Sequence, residues 1–366
     1  MLTFAKGLGR TIGTGAFIAA TLLTGAASAE DEIVSLADQG DIAPFCGNEP
    51  LRVAAIDGYG GNSWRKTVIA ELRDEAAKCP NITRVEYADV AGDIQAYNAA
   101  INGFSSQGFE VILAFPDFGD ATIPAFRAAY QAGATVVPWW QGLSGEIGVD
   151  YAANPTGASY EAGVAMGEFV VEALDGEGTT VFLGGLAGSA STMTWFNGYK
   201  DVLSKHPGIK LLDENFIVTN WNPADAQKAV AGLIAKYGEI GAIASDYGVT
   251  SLAAVKAYEA ARLPVPAQAY PGVSNEYICK YMDAKAAGED WPMLALGISP
   301  GAIRFALRAA LAARMGVENP EARKLALIEF GNSLKNKDPL CDPSMPPDAD
   351  LTSTLSADEL KVVFEN

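Results

Sequence analysis

Residues 51–79 are LRVAAIDGYGGNSWRKTVIAELRDEAAKC, and this stretch decides the fold. Residues 51–56 are almost entirely apolar, which is typical of a strand buried on both faces of a parallel sheet. A glycine-rich loop follows, and residues 63–78 then repeat apolar side chains at helical spacing. A buried strand followed by an amphipathic helix begins a βαβ unit. The stretch therefore predicts an α/β protein.

The same alternation continues on both sides of Asp150. Before it, the sequence predicts strands at 51–56, 83–87, 111–115 and 135–138 and helices at 63–78, 93–107 and 123–132. After it, predicted helices at 157–174, 191–205, 223–237, 249–261, 276–287 and 300–315 alternate with strands at 180–184, 210–218, 242–244, 267–269 and 293–296. An apolar piece at 325–330 precedes a Pro-rich, polar tail. The fold class is therefore α/β with two doubly wound parallel-sheet lobes. The pattern alone does not say which lobe 300–315 joins.

The first 29 residues predict a cleaved signal peptide. Lys6 and Arg10 precede a run of apolar and small residues at 11–25, and Ala27-Ser28-Ala29 has the small residues that a cleavage site needs. A membrane anchor needs about 20 strongly apolar residues, so a retained anchor is the less favoured alternative. We expect Sec export and a mature chain that begins at Glu30 in an extracytoplasmic space.

Composition and charge exclude several classes of function. The 366 residues are 49% hydrophobic and 19% charged, which suits one or two folded domains. Lys+Arg 26 against Asp+Glu 44 gives a net charge of -18, which repels nucleic acid. The one histidine, His206, lies in a turn-like Lys-His-Pro-Gly stretch, so little material remains for a His-ligated metal or a Ser/His/Asp triad. We expect no metal and no cofactor.

Four cysteines predict two disulfides. An even number in an oxidising compartment, with no C-x-x-C pair, favours disulfides over metal or redox sites. Three pairings are possible for four cysteines. Cys46 precedes the first strand and Cys79 ends the first helix, whereas Cys279 and Cys341 lie far downstream. The favoured pairs are Cys46 with Cys79 and Cys279 with Cys341.

Five of the six tryptophans lie in segments that follow predicted strands: Trp64, Trp139, Trp140, Trp195 and Trp221. In doubly wound sheets ligands bind beyond the carboxyl ends of the strands, so this clustering predicts an aromatic binding site. Core packing is the alternative for each single ring. Polar side chains accompany the rings, namely Asn62, Arg65, Asp117, Asp120, Gln141, Asn197, Asn222, Asp246 and Asn275. Flat rings beside carboxylates and amides suit a neutral, polyhydroxylated ligand.

These polar and glycine-rich segments could also have purely structural roles. Helix N-capping is the alternative role for each Asp and Asn. Asp117 and Asp120 lie too close together in one loop to flank a substrate bond as an acid and base pair. The loops at 58–61 and 184–189 lack the complete Rossmann and P-loop patterns. We interpret them as tight turns that let the backbone approach a ligand.

These residues resemble the type I periplasmic sugar-binding proteins of ABC importers, the ribose- and galactose-binding group. The resemblance covers about 51–330 and depends on the order of elements and on three motifs. The motifs are Gly-Asn-Ser-Trp-Arg at 61–65, Pro116-Asp117 with Asp120, and Gly188-Ser189-Ala190-Ser191. The resemblance implies three crossover segments near 149–153, 297–300 and 326–330, which form a three-segment hinge. It thereby assigns 30–150 plus 299–326 to an N-terminal lobe and 151–298 plus 327–366 to a C-terminal lobe.

The resemblance also implies a ligand set. Asn62 and Trp64 match the family's first-loop amide and stacking ring, and Trp221 matches the aromatic residue that faces this ring across the cleft. Asp246 and Tyr247 fall where the family has an amide ligand. The complete predicted set is Asn62, Trp64, Arg65, Asp117, Asp120, Trp139, Trp140, Gln141, Met193, Trp195, Trp221, Asp246, Tyr247, Tyr270 and Asn275.

Two departures from the family pattern bear on specificity. The family's Asp-Arg pair is replaced around Trp139 and Trp140, and its second-lobe arginine is replaced by Met193. Arginine supplies several donors in a planar fork, and methionine supplies none. We therefore expect an uncharged, small or partly deoxygenated sugar or polyol.

The function implied by the resemblance is binding, not catalysis. A monomeric periplasmic protein would capture a neutral sugar or polyol by hinge closure and deliver it to an ABC transporter permease with its cytoplasmic ATPase. Two alternatives remain: a periplasmic sensor that presents a sugar-like signal to a membrane receptor, and an extracytoplasmic enzyme on the same scaffold. Turnover of a candidate ligand would separate an enzyme from a binder.

Overall fold

The computed structural model describes residues 33–34, 40–321 and 323–365, so the predicted signal peptide lies outside the described residues. The strands are β1 (Ile33–Val34), β2 (Leu51–Asp57), β3 (Ile82–Asp89), β4 (Val111–Ala114), β5 (Thr135–Pro138), β6 (Thr156–Gly157), β7 (Gly178–Gly184), β8 (Ile209–Leu211), β9 (Ile217–Val218), β10 (Ala242–Ser245), β11 (Ala267–Pro271), β12 (Met293–Gly297), β13 (Lys324–Leu325) and β14 (Ile328–Asn332). The helices are α1 (Ser63–Ala77), α2 (Ile94–Ser106), α3 (Ile123–Gln131), α4 (Ser159–Ala173), α5 (Ala190–Leu203), α6 (Pro223–Tyr237), α7 (Gly248–Ala261), α8 (Asn275–Ala287), α9 (Ala302–Met315) and α10 (Ala357–Glu365). Within the described ranges, every helix is too short or too polar to span a bilayer.

The first lobe is a parallel sheet with helices on both faces. Its strand order is β3-β2-β4-β5. Successive side chains of a strand point to opposite faces, so Val53 and Ala55 join the core formed with α1 and α9. Ala54 and Ile56 join the core formed with α2 and α3. Because both faces of β2 are covered, its run of apolar residues is buried, as the sequence predicts.

The second lobe repeats this construction with a larger sheet. Its strand order is β14-β12-β11-β10-β7-β8, and β9 pairs with the end of β7. Only β14 among these paired strands runs antiparallel to its neighbour. Phe182 packs with α4 and α5, while Val181 and Leu183 pack with α6 and α7. The fold class is therefore confirmed as two doubly wound α/β lobes.

Three chain segments pass between the two sheets. The first joins β5 to α4, and the second joins β12 to α9, which packs on α1, β4 and β5 of the first lobe. The third leads from α9 back to β14 in the second sheet. A small parallel sheet of β1, β13 and β6 is built partly from the first and third of these segments. Hydrogen bonds between short strands thus hold two crossing segments side by side.

The chain beyond β14 differs from its expected assignment to the second lobe. The sequence predicts no helix in this tail and places 327–366 wholly in the C-terminal lobe. In the structure β14 belongs to the second sheet, but α10 packs against α1 of the first lobe. The reason is apolar burial, since Leu355 and Leu360 form a small core beside Ala70 of α1.

The two disulfides are confirmed, and one strand is not. Cys46 pairs with Cys79 and Cys279 pairs with Cys341. The strand predicted at 210–218 is instead two short strands, β8 and β9. Asp213 interrupts it because its Oδ1 accepts a hydrogen bond from the backbone N–H of Asn215, which makes a turn.

Candidate functional site

A cleft between the lobes collects residues from the carboxyl ends of the strands and the first turns of the helices. Its volume is about 480 Å³ including the open mouth. Six aromatic rings line it: Trp64, Phe115, Trp140, Trp195, Trp221 and Tyr247. The other lining residues are Asn62, Arg65, Ser191, Asp246 and Ile298. The cleft is therefore largely aromatic, with a few polar groups that converge on it, as in small-molecule sites.

Trp64 is placed by the start of α1. Asn62 caps this helix, since its side-chain oxygen accepts a hydrogen bond from the backbone N–H of Arg65. Trp64 lies in the first turn, and its ring stacks on Trp139 at 6.1 Å between centroids. Its Nε1 donates to the carbonyl oxygen of Ile298, in the segment between β12 and α9, at 2.7 Å. The ring is thus fixed by both a neighbouring ring and the second crossing segment.

Arg65 is the centre of a buried ion triad. Its Nη1 lies 2.6 Å from Asp57 Oδ1, and its Nη2 lies 3.0 Å from Asp117 Oδ1. The guanidinium also lies 3.6 Å from the ring centroid of Phe115. Burial raises the pKa of Asp117 to about 6, against the attraction of Arg65. Two carboxylates therefore compensate one guanidinium, and this cation is already partnered.

The second-lobe wall centres on Asp246, at the end of β10. Its Oδ2 accepts from Thr192 Oγ1 at 2.5 Å, and its Oδ1 accepts from Trp221 Nε1 at 3.1 Å. Burial raises the pKa of Asp246 to about 7, although both of these hydrogen bonds favour the charged form. The carboxyl group therefore titrates near neutral pH while it orients the Trp221 ring.

Two of the cleft rings are carried on unusual backbone. Trp140 has φ 70 and Trp221 has φ 49, both in the left-handed region. This conformation costs of order 1–3 kcal/mol for residues other than glycine and is concentrated at functional sites. Gly185 makes room for Trp221, because a Cβ there would lie 2.1 Å from Trp221 Cε2. The Gly-rich loop at 184–189 thus accommodates a cleft ring, and a direct approach of its backbone to a ligand stays a prediction.

Two hydrogen bonds and one ring contact join the lobes at the cleft. Ser63 Oγ and Tyr247 Oη are hydrogen-bonded at 3.0 Å. Gln141 Nε2 donates to Ser191 Oγ at 2.9 Å. The rings of Tyr59 and Trp221 also meet edge to face, with 5.7 Å between centroids. The structure therefore has its lobes in contact around the cleft.

Eight of the predicted ligand residues line this one cleft, and three more lie directly behind the lining residues. The eight are Asn62, Trp64, Arg65, Trp140, Trp195, Trp221, Asp246 and Tyr247. Trp139 lies behind Trp64, Asp117 lies behind Arg65, and Gln141 holds Ser191.

The other four predicted ligand residues lie outside the cleft. Asp120 is exposed and accepts from the backbone N–H of Ser144. Met193 is exposed because it lies on α5 midway between Ser191 and Trp195, about 200° around the helix from both. Tyr270 is buried against Tyr277. Asn275 hydrogen-bonds the tail through Asp342 and Met345. The structure therefore does not bring these four residues into this cleft.

Three lining residues are not in the predicted set: Phe115, Ser191 and Ile298. Phe115 and Ser191 adjoin a predicted strand end and a predicted helix start, so a search of strand ends without regard to residue type would have included them. Ile298 follows β12, but its aliphatic side chain gives no reason to select it as a ligand residue from the sequence.

The cleft offers little for a metal ion. Across the described residues, no group of three or more His, Cys, Asp and Glu side chains has the arrangement that would hold one. The two nearest carboxylates in the first lobe, Asp57 and Asp117, are directed at Arg65. The arrangement instead provides ring faces, an amide, a hydroxyl and the carboxyl group of Asp246, which together can bind hydroxyl groups and C–H surfaces.

Comparisons with known proteins agree with this architecture. A family model described as a periplasmic binding protein domain matches residues 54–284. A xylitol-binding protein of Mycolicibacterium smegmatis is 26% identical over 209 residues, which are 56% of this chain and 58% of that protein. The chain thus matches little more than half the length of this curated relative.

Solved structures share the fold over most of the chain. An ABC transporter solute binding protein from Thermobispora bispora aligns with a TM-score of 0.71 at 20% identity, covering 85% of this chain and 94% of that one. A 5-methylthioribose transporter solute binding protein from Thermotoga lettingae, in complex with 5-methylthioribose, aligns with a TM-score of 0.64 at 20% identity, covering 76% and 86%. At such identities the likeness shows the two-lobed fold.

Proposed function

This chain belongs to the periplasmic binding protein domain family, and from that premise we propose that it captures a neutral sugar or polyol in the cleft between its lobes. Delivery of the ligand to an ABC transporter permease with its cytoplasmic ATPase completes the proposed role. The protein acts as a monomer in the periplasm, after Sec export and cleavage before Glu30. It binds its ligand without chemical change and needs no cofactor.

One observation carries the proposal: six aromatic rings and the carboxyl group of Asp246 surround a cleft whose guanidinium is already neutralised. Aromatic faces pack on the C–H surface of a sugar or polyol, and a carboxylate accepts hydrogen bonds from its hydroxyl groups. An anionic ligand would need a free cation, and Arg65 is engaged by Asp57 and Asp117. The neutral class is therefore favoured.

Capture by closure follows from the distribution of the lining residues. Trp64 and Arg65 come from the first lobe, whereas Trp221 and Asp246 come from the second. A ligand that contacts all four must hold the lobes together, so ligand binding favours the closed arrangement. In this proposal the ligand lies between the rings of Trp64 and Trp221, one from each lobe.

The carboxylates near the cleft favour binding over catalysis, because two of them are already paired with Arg65. Asp57 and Asp117 are buried and paired with Arg65, so neither is free to act as a general base on a ligand. Asp246 is the one carboxylate among the lining residues. A pair of carboxyl groups that flank a scissile bond is therefore missing from this lining.

The test is a thermal-shift panel followed by calorimetry on the purified mature protein. The ligands named for the two related proteins, xylitol and 5-methylthioribose, are tested first, followed by other alditols, pentoses, hexoses, deoxy sugars and aldonates. A ligand at 100 times its dissociation constant stabilises the folded state by about 2.7 kcal/mol. Asp246→Ala is the control, because a ligand that binds in the cleft should stabilise this variant less than wild type. Failure of every neutral sugar and polyol to stabilise the protein, or conversion of one to a product, would overturn the proposal.

A further inference from the structure

The C-terminal tail makes contacts with both lobes that the ligand site does not use. Its start is held to the second lobe by the Cys279–Cys341 disulfide, since Cys279 lies on α8. Asn275 Nδ2 donates to the carbonyl oxygens of Asp342 and Met345 at 2.8 and 3.1 Å. Asn275, a residue singled out by the sequence, therefore anchors the tail.

The second-lobe anchor continues to Asp350. Its Oδ2 accepts from the backbone N–H of Val273 at 3.3 Å, and the N–H of Leu351 donates to the carbonyl oxygen of Val273 at 2.9 Å. Asp350 is buried, and its Oδ1 accepts from the backbone N–H of Thr352 at 2.8 Å. This part of the tail is therefore fixed to the loop after β11.

Three residues after Asp350, the tail reaches its anchor on the first lobe, which is the side chain of Glu71 on α1. This fully buried carboxylate accepts from Ser353 Oγ at 2.7 Å, from the Thr354 N–H at 2.7 Å and from Thr354 Oγ1 at 2.6 Å. Arg304 of α9 forms an ion pair with the same carboxylate at 2.5 Å. Hydrogen bonds to a buried charged group are the strong ones, so the tail is firmly held here.

The segment also touches the crossing chain between the lobes. Ser299 Oγ, in the segment between β12 and α9, donates to the carbonyl oxygen of Thr352 at 2.5 Å. Asp348 and Asp350 lie beside Ser63, Trp64 and Tyr247, where the two lobes meet. The tail therefore crosses from lobe to lobe next to the cleft.

We infer that residues 350–354, which we name the C-terminal strap, limit how far the lobes separate. From Asp350 to Thr354 an extended chain spans at most about 14 Å. Opening that would carry the Cα atoms of Asp350 and Thr354 farther apart than this must break one of the two anchors, and the first-lobe anchor includes the packing of Leu355 and Leu360 against α1. With the contacts of Asp350 and Leu351 broken, the next contact with the second lobe is the carbonyl oxygen of Ala349, which accepts from the backbone N–H of Asn275, so the free chain from Ala349 to Thr354 still reaches only about 18 Å. The inference does not depend on the identity of the ligand.

The experiment measures the ligand-free mature protein by small-angle X-ray scattering. The first variant, Ser353→Ala/Thr354→Val, removes two of the three strap hydrogen bonds to Glu71. It leaves Glu71 paired with Arg304 and bonded to the Thr354 N–H, so the carboxylate is not orphaned. The matched control is Ser344→Ala, because this exposed hydroxyl in the same tail bonds Asp342 only locally.

We expect a larger radius of gyration for the double variant than for wild type, and no change for Ser344→Ala. Asp350→Ala, which removes the side-chain part of the other anchor and leaves the Leu351 N–H bonded to the Val273 carbonyl oxygen, should give an increase in the same direction, and circular dichroism confirms that each variant is folded. We also expect chymotryptic cleavage after Leu355 to be at least about tenfold faster in the double variant, which corresponds to about 1.4 kcal/mol. Unchanged or smaller radii of gyration in both strap variants would overturn the inference. No ligand is added, so an absence of sugar binding would not affect this result.

Discussion

The indole Nε1 of Trp221 donates a 3.1 Å hydrogen bond to Oδ1 of Asp246, so a ring from one loop is fixed by a carboxylate from the next strand end. Trp221 holds this position at φ 49, which is unfavourable backbone for tryptophan. Glycine would adopt this backbone without strain. The relationship indicates that the position of the ring is maintained at a cost in stability, which is typical of binding sites.

Trp221→Gly should therefore separate binding from stability. Glycine relieves the left-handed backbone, which offsets part of the packing lost with the half-buried ring. We expect the affinity for the ligand identified by the panel to fall at least about tenfold, a change of about 1.4 kcal/mol. The free energy of unfolding should change by less than the roughly 3–5 kcal/mol typical of a buried tryptophan replaced by alanine. Calorimetry and urea unfolding measure the two effects. Met193→Ala, which alters an exposed side chain outside the cleft, should bind normally; equal loss in both variants would contradict this site.

Gly185→Ala tests the same ring without removing it. The added Cβ would lie 2.1 Å from Trp221 Cε2, so the ring must leave its place over the cleft. We expect weaker ligand binding and a changed tryptophan fluorescence spectrum. Gly232→Ala is the control. Gly232 is exposed on α6, and a Cβ added there would meet nothing within 4 Å. Gly232→Ala should leave binding intact and stabilise the helix by roughly 0.5–1 kcal/mol. Normal binding by Gly185→Ala would show that the Trp221 position is unimportant.

The sequence predicts the strands and helices well where one periodicity holds over a whole element. β2 and α1 follow from residues 51–79 because a strand covered on both faces must be apolar throughout. The tail helix α10 could not be found in the same way. Its apolar residues cover Ala70 on a helix far away in the chain, and a nine-residue helix has little stability of its own.

One feature of the sheets explains which predicted residues reach the cleft and which do not. Residues that follow strands, such as Trp64 and Asp246, arrive at the cleft because parallel strands end at one edge of the sheet. Tyr270 also ends a strand, but its side chain points into the core of the second lobe. A register shift of one residue reverses the face, and the sequence does not reveal that register at a strand end.

Arg65→Met should strongly destabilise the protein. The substitution leaves Asp57 and Asp117 buried without their shared cation, and losing one partner of a buried ion pair costs about 3–5 kcal/mol. Urea unfolding measures this loss. Arg127→Ala removes a half-exposed partner of Asp150 and should cost about 1 kcal/mol or less. A similar small cost for Arg65→Met would mean that this triad has little structural role.

The pKa of Asp246 predicts a specific pH dependence. A carboxyl group whose pKa rises from 3.8 in the unfolded chain to about 7 in the fold binds its proton more tightly when folded. Its contribution to stability is therefore complete below pH 3.8 and is lost as the pH rises through about 7. Asp246→Asn removes this titration. The free energy of unfolding of wild type minus that of Asp246→Asn should decrease between pH 4 and pH 8, as measured by urea unfolding at each pH. A difference that is constant or increases with pH would contradict the raised pKa.

Charge on the ligand should decide affinity, and the comparison of xylitol with xylonate isolates it. The two ligands share a five-carbon chain, but xylonate ends in a carboxylate. In the cleft that carboxylate meets Asp246 and a guanidinium already held by Asp57 and Asp117. Juxtaposed like charges cost several kcal/mol, so xylonate should bind at least about tenfold more weakly than the alditol in calorimetry.

The pH dependence of this discrimination identifies its source. Asp246 gains a proton as the pH falls below about 7, so its repulsion of xylonate weakens from pH 8 to pH 6. The ratio of the two dissociation constants should therefore shrink over this range, while xylonate itself stays ionised. In Asp246→Asn the ratio should be smaller and should change less with pH, because the carboxyl group that lines the cleft is gone and Asp117, whose pKa burial raises to about 6, lies behind Arg65. If xylonate bound more tightly than xylitol, Arg65 would have to be available to anions, and the neutral ligand class would be wrong. A pH-independent ratio in wild type would instead assign the rejection to groups other than Asp246.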